Sequence, residues 1–235
     1  MKFFPIKKIL ILVTILAVPG FLYYLLTESG KNRYKPLPFF GPKVLSGTFH
    51  SVHGEKIADT SYHQVGDFHL VNQNNTPVSL DSYKGKILLI NLFYTQGKNI
   101  GVSLANKAMK GYEYGYGSNQ AIDFLSISID PTHDQPDVLK QYGKTLGAKP
   151  GKWDLLTGDS TEVYKFLNKE LFVDALQTVE NGKPKFIYSN FFVLLDTKRR
   201  IRGYYDASSA EAMSKLNDEI KVLIVEELRN ITDGR

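Results

Sequence analysis

Apolar residues gather along this chain in runs of two lengths, and the lengths separate the elements. Ile9 to Leu26 is uncharged and rich in Ile, Leu, Val, Phe and Tyr. It is about as long as a membrane-spanning helix needs, and the Pro19-Gly20 kink is tolerated in lipid. Ile87 to Tyr94 is apolar except for Asn91 and too short for a helix that buries itself. It reads as a central strand covered on both faces. Ile122 to Asp130 reads as a second buried strand, and Phe191 to Asp196 with Ile201 to Tyr205 as a hairpin across Thr197 to Arg200. Helices are expected from about Pro136 to Gly147, Ser160 to Leu171 and Ala210 to Arg229. In the last, Met213, Leu216, Ile220, Leu223, Ile224 and Leu228 recur at helical spacing.

Polar stretches divide these runs. Lys35 to Pro42 is proline-rich and reads as a semi-rigid spacer. Residues 43–66 read as a leading hairpin or loop, Phe68 to Val71 as a short strand, and Asn74 to Pro77 as a turn. After the central strand, Thr95 to Gly101 forms a polar loop, with Ser103 as the expected cap of a helix running to Lys110. Strand, loop and helix in that order place a reactive group at the carboxyl end of a strand, on a helix N-terminus. Lys110 to Ser118 mixes Tyr112, Tyr114 and Tyr116 with Gly111, Gly115 and Gly117, and reads as a mobile, glycine-loosened insertion. The expected division is a cytoplasmic N-terminus at 1–8, an uncleaved anchor at 9–26, a linker and leading segment at 27–60, a domain at 61–230 and a tail at 231–235.

The formal net charge is +5, and Lys198-Arg199-Arg200 is the only tight basic cluster. It reads as a solvated hairpin tip, and nucleic acid is not expected as a partner. The chain has no cysteine, which excludes disulfides, thiolate metal sites and thiol peroxidase or reductase chemistry. Ser103 and Ser189 have no evident base partner, and Gln96 to Asn99 reads as a plain loop rather than an anion cradle. His50 and His53 stand at i and i+3, with His63 and His69 close behind. They fit an exposed transition-metal site or, as preferred here, solvated loop and strand residues. His133 reads as a surface histidine in a turn, next to the end of the second strand.

Asp67 to Gly101 resembles the Sco/SenC family of membrane-anchored, thioredoxin-fold copper proteins. The resemblance rests on Asp67-Phe68-His69-Leu70-Val71-Asn72-Gln73, on Val78 to Lys86 and on Phe93-Tyr94-Thr95. Asp130-Pro131 with Asp134, and Trp153 with Leu156-Thr157-Gly158, extend it to roughly residues 36–228. It implies an α/β, thioredoxin-like fold with a central mixed sheet flanked by helices, preceded by one transmembrane helix. In that family the strand enters Cys-Pro-x-x-Cys-Pro, whose thiols bind copper and cycle through a disulfide, and a histidine supplies the third ligand. Here Gly97 and Gly101 stand at the cysteine positions, Lys98 and Val102 at the prolines, and Tyr188 at the histidine.

The resemblance further implies an inner-membrane, single-pass protein with its C-terminal domain on the periplasmic side. Its expected partners are respiratory oxidase assembly proteins, in the setting of copper delivery to cytochrome c oxidase. With Gly97, Gly101 and Tyr188 non-ligating, the expectation is a degenerate homologue with no bound copper and no catalytic residues, acting as a binding or scaffold module. The alternatives are a copper chaperone rebuilt on His50, His53 or His133, and an enzyme with an unrecognised site.

Overall fold

The computed structural model describes residues 6–28, 36–52 and 55–232, leaving out the side chains of residues 6, 8–10, 12, 26–28, 50, 52, 55, 57 and 230–232. It divides into two units, Met1–Pro36 and Leu37–Arg235. The first holds helix α1 (Ile6–Glu28), which covers the long apolar run. Among the described residues no helix is long and apolar enough to cross a membrane. The anchor therefore rests on the sequence.

The second unit opens with a hairpin, β1 (Lys43–Val52) and β2 (Glu55–Tyr62), which forms a sheet of its own. Then come β3 (Leu70–Asn72), β4 (Pro77–Val78), a short turn at Leu80–Tyr83, and β5 (Ile87–Phe93). Next are α2 (Ile100–Tyr116), β6 (Ile122–Ser128), α3 (Pro136–Leu146), β7 (Trp153–Thr157) and α4 (Ser160–Lys165), which passes into a wider turn at Phe166–Glu170. A hairpin of β8 (Ala175–Glu180) and β9 (Lys183–Tyr188) precedes β10 (Phe191–Leu195), β11 (Ile201–Asp206) and α5 (Ala210–Thr232).

Seven strands form the main sheet in the order β11-β10-β5-β6-β7-β3-β4. β5, β6 and β7 run parallel, and β10 and β3 flank them antiparallel. This is the mixed sheet the resemblance implies, with the apolar run Ile87 to Tyr94 supplying its central strand. All seven residues of β5 are buried because the strand lies mid-sheet between two apolar layers. Ile87, Leu89 and Phe93 face one layer, with residues of α2, α3 and α5, while Leu88, Ile90 and Leu92 face the other, with residues of α4. That split is the two-residue period of a strand.

Three local expectations are corrected. The Tyr/Gly stretch is not a loose insertion: α2 continues through it to Tyr116. Tyr112 and Tyr116, one turn apart, donate their hydroxyls to the Met213 and Asn217 carbonyls of α5. At Gly111 and Gly115, a Cβ would meet nothing within 4 Å. Packing of the tyrosine stripe outweighs the low helix propensity of the glycines. Secondly, Asn99 rather than Ser103 caps α2, its side chain accepting from the Val102 N–H at 2.8 Å.

The third correction concerns the basic tip and the spacer. Arg199 pairs with Asp81, and Arg200 with Asp196. Arg202, fully buried, donates to the Leu37 and Pro38 carbonyls at 2.7 and 3.2 Å and pairs with Asp196 and Glu226. Its guanidinium lies 4.3 Å from the Phe39 ring centroid. From Leu37 onward the proline-rich segment is therefore bound into the compact unit rather than acting as a free tether.

Candidate functional site

The loop after β5 is built by a strand that ends in a buried Phe93 and a helix that starts on the Asn99 cap. Gly97 closes a tight turn, its N–H donating to the Tyr94 carbonyl at 3.0 Å, and lies before the helix. Gly101 lies in the first helical turn, and its carbonyl accepts from Asn190 Nδ2 at 3.3 Å. Neither glycine is among the positive-φ residues, so the backbone at both positions suits any L-residue. Space is the tighter limit. A Cβ on Gly97 would stand 2.6 Å from Val102 Cγ2, while one on Gly101 would meet only side chains, the nearest at 3.2 Å.

Tyr188 ends β9 and is drawn to the same loop. Its ring meets Tyr94 edge-on with centroids 6.2 Å apart, and Phe186 lies 4.9 Å from Tyr94. Burial pushes the Tyr188 phenol up to about 12, the neighbouring Tyr94 adds to this, and a hydrogen bond with Asn99 partly offsets it. Tyr188 is thus linked through Asn99 to the loop that carries Gly97 and Gly101. What they offer a metal is a different matter. No thiolate or imidazole is present among the three, and the phenol is held neutral among aromatic rings. The residues do not fit a Cu(I) ion.

Of the N-terminal histidines, the side chains of His63 and His69 are described. His50 lies on β1 opposite Ile57, with its side chain outside the description, and His53 is outside the described residues. His63 Nε2 lies 3.0 Å from the Glu170 carbonyl, against Phe172, whereas His69 faces Glu162 at 3.2 Å. These two serve separate contacts.

His133 is the sequence candidate whose surroundings change the picture. It sits in the step after β6 with Asp130 and Asp134, and potential ligand atoms of the three lie within 4.8 Å of one another. Asp134, completely buried, accepts four hydrogen bonds. Ser128 Oγ donates at 2.6 Å, the Thr95 N–H at 3.0 Å, His133 Nδ1 lies at 2.9 Å, and the Thr95 hydroxyl completes the set. Thr95 comes from the loop after β5, so Asp134 ties the two loops together. Burial, then the charge of Asp134, raises the pKa of Asp130. Asp130 lines an open cleft of about 930 Å³ with Tyr94, Gln96, Glu180 and Phe186.

Much of that cleft is made by the β8–β9 hairpin, which the apolar pattern does not reveal. A different signal was present in Asn181-Gly182, both at positive φ (53° and 73°), joining Glu180 to Lys183 as a two-residue turn. Asn-Gly between alternating residues is a strong short-range hairpin cue.

Comparison with known proteins agrees with this architecture. The SCO1/SenC family model matches residues 57–224. The chain is similar to the SCO2-like protein RP587 of Rickettsia prowazekii, at 28% identity over 218 residues that cover 91% of this chain and 97% of that protein. It is also similar to the SCO1 protein homolog of Bacillus subtilis, at 24% over 169 residues, covering 72% and 86% respectively. Among solved structures, a SCO1/SenC family lipoprotein from Bacillus anthracis superposes with a TM-score of 0.62 at 22% identity, covering 69% of this chain and 95% of that one. Bradyrhizobium japonicum ScoI with copper bound gives 0.50 at 24% identity, covering 66% and 98%.

Proposed function

Because the chain belongs to the SCO1/SenC family, we propose that it is a membrane-tethered member that keeps the family's fold and partner surfaces without its thiol–copper chemistry. In this reading it is a binding or scaffold module rather than an enzyme. One relative of solved structure is described as a member of the Sco family of cytochrome c oxidase assembly proteins. Respiratory oxidase assembly proteins are accordingly the partners proposed here, with the compact unit on the periplasmic side of the inner membrane.

The observation that supports the reading is the replacement of all three ligand positions in a chain that keeps the family's fold. Gly97 and Gly101 share one loop, to which Tyr188 is linked through Asn99 and Tyr94, and none of the three offers a soft donor. A sequencing slip or fine tuning would touch one ligand; the loss of all three supports lapse of the copper site. A copper carrier rebuilt on histidine has less support. Among the described residues the one cluster of three candidate ligands is Asp130, His133 and Asp134, and carboxylates do not favour Cu(I).

Competition of the purified chain against a strong Cu(I) chelator tests the central claim. The wild type should retain no copper, whereas the triple change Gly97→Cys, Gly101→Cys, Tyr188→His should gain one equivalent. Adding Val102→Ala to the triple relieves the contact at Gly97 and should strengthen that gain. Tight one-to-one retention by the wild type would overturn the reading. The tether rests on the uncharged run Ile9 to Leu26. Extraction of membranes with alkaline carbonate should leave the chain in the pellet, and its release would remove the tether.

A further inference from the structure

The step after β6 carries a polar cluster that the proposed function does not use. We propose that His133 and Asp130, with Asp134 behind the imidazole, bind a borderline divalent transition-metal ion at the edge of the cleft between the β5 loop and the β8–β9 hairpin. The inference does not rest on the copper reading, which concerns a different ion and different residues.

The first support is the division of labour between the two carboxylates. Asp134 accepts four hydrogen bonds, from Ser128, from the Thr95 N–H and hydroxyl, and from His133. That fills the lone-pair sites of a carboxylate, so Asp134 is the group that orients the imidazole. Because a carboxylate only accepts, the proton between them belongs on His133 Nδ1, and Nε2 is left with a free lone pair. A carboxylate behind a histidine in this way is the usual support of a metal-ligating imidazole, raising its basicity and fixing its ring.

Asp130 supplies the second and independent support. It is 6% exposed, and the one hydrogen bond its carboxylate accepts among the described residues is long, from the His133 N–H to Oδ1 at 3.4 Å. Its other oxygen accepts nothing among the described residues, yet the residue lines the cleft. Neither Asp130 nor Asp134 pairs with a lysine or arginine among the described residues. Two carboxylates faced by one half-exposed imidazole (42% exposed, against Asp134) carry negative charge that no lysine or arginine among the described residues balances. A divalent cation supplies what is missing.

Donor chemistry narrows the ion. Imidazole nitrogen with carboxylate oxygen suits Zn²⁺ and its divalent neighbours rather than Cu(I), Mg²⁺ or Ca²⁺. One potential ligand atom from each of Asp130, His133 and Asp134 lies within 4.8 Å of the others, so the fold gathers the imidazole and the Asp130 carboxylate at one place on the cleft edge. Gln96 lines the same cleft and, with water, offers oxygen donors to complete the shell.

The test uses the full chain, stripped of metal and titrated with Zn²⁺ against a chromophoric chelator. The wild type should hold one equivalent. His133→Ala and Asp130→Asn should each weaken it tenfold or more, while His69→Ala, which removes a surface imidazole beside Glu162, should leave it unchanged. Thermal melts establish that each variant is folded. Should Asp130→Asn not fold, His133→Ala decides alone, since that side chain lies half in solvent. Absence of a one-to-one complex in the wild type, or its survival in His133→Ala, would overturn the proposal.

Discussion

The loop after β5 and the step after β6 leave adjacent parallel strands, with Phe93 paired to Ser128 in the register, and are made of opposite materials. At the first, Gly97 and Gly101 stand in a loop held by backbone and amide contacts, with the neutral rings of Tyr94, Tyr188 and Phe186 packed beside it and no charged side chain in those contacts. At the second, Ser128, Asp130, His133 and Asp134 form a hydrogen-bonded cluster that includes two carboxylates. The contrast bears on how a site decays. A ligand that only meets a metal can be replaced by glycine without harm to the fold. A carboxylate that also satisfies a neighbour's backbone, as Asp134 does for Thr95, cannot be lost so cheaply. Structural work keeps a polar residue in place when its chemistry is no longer required.

The largest expected effect lies on the polar side. Asp134→Ala would leave the Ser128 and Thr95 hydroxyls, the Thr95 N–H and His133 Nδ1 without their acceptor, at a cost on the order of 3 kcal/mol. Urea denaturation followed by circular dichroism measures it. A loss well under about 1 kcal/mol, the net worth of a single hydrogen bond, would mean that the two loops are not joined through this carboxylate.

On the apolar side the equivalent change is milder. Gly97→Ala puts a methyl 2.6 Å from Val102 Cγ2, an overpacking that costs about 1 kcal/mol. The double change Gly97→Ala, Val102→Ala should cost less than the sum of its two parts, because removing Cγ2 relieves the clash. Additive costs in the same denaturation series would show that the space at Gly97 is not set by Val102.

The smallest effect separates the two sides by pH. Tyr188 beside the β5 loop is raised from 10.0 to about 12 by burial, and Tyr164, which donates to the Ile129 carbonyl beside the step, is raised likewise. The folded state therefore holds phenolic protons that the unfolded chain releases near pH 10. Their stabilisation is complete below about pH 10 and is lost as pH rises to about 12. Tyr188→Phe should make the alkaline decline shallower in denaturation series run from about pH 9 to about pH 12, the window that brackets the two values. An unchanged slope would place the Tyr188 phenol in solvent.

Much of the frame is legible in the sequence because it depends on patterns a few residues long. β5 and β6 announce themselves as apolar runs, and the order of elements follows from their lengths. Where neighbours in sequence are a poor guide, the expectations fail. Gly111 and Gly115 argue against a helix unless α5 is there to receive Tyr112 and Tyr116. Arg199 and Arg200 look like a free basic tip until Asp81 and Asp196 are brought beside them. The β8–β9 hairpin is the exception, since its Asn-Gly turn is a local signal that hydrophobic runs alone do not register. Ser103 resembles a cap, but Asn99 stands where the chain turns.

Sequence by itself determined what this protein cannot do with thiols. No arrangement of a chain without cysteine yields a thiolate site or a disulfide, so that exclusion holds whatever the fold. Composition decides such questions because a missing functional group is missing from every conformation. Tertiary structure alone decided where His133 belongs. Its imidazole meets an aspartate that also holds Thr95, 38 or 39 residues away along the chain. Such meetings depend on the register of β5 against β6, which is set by the buried layers on both faces of the sheet.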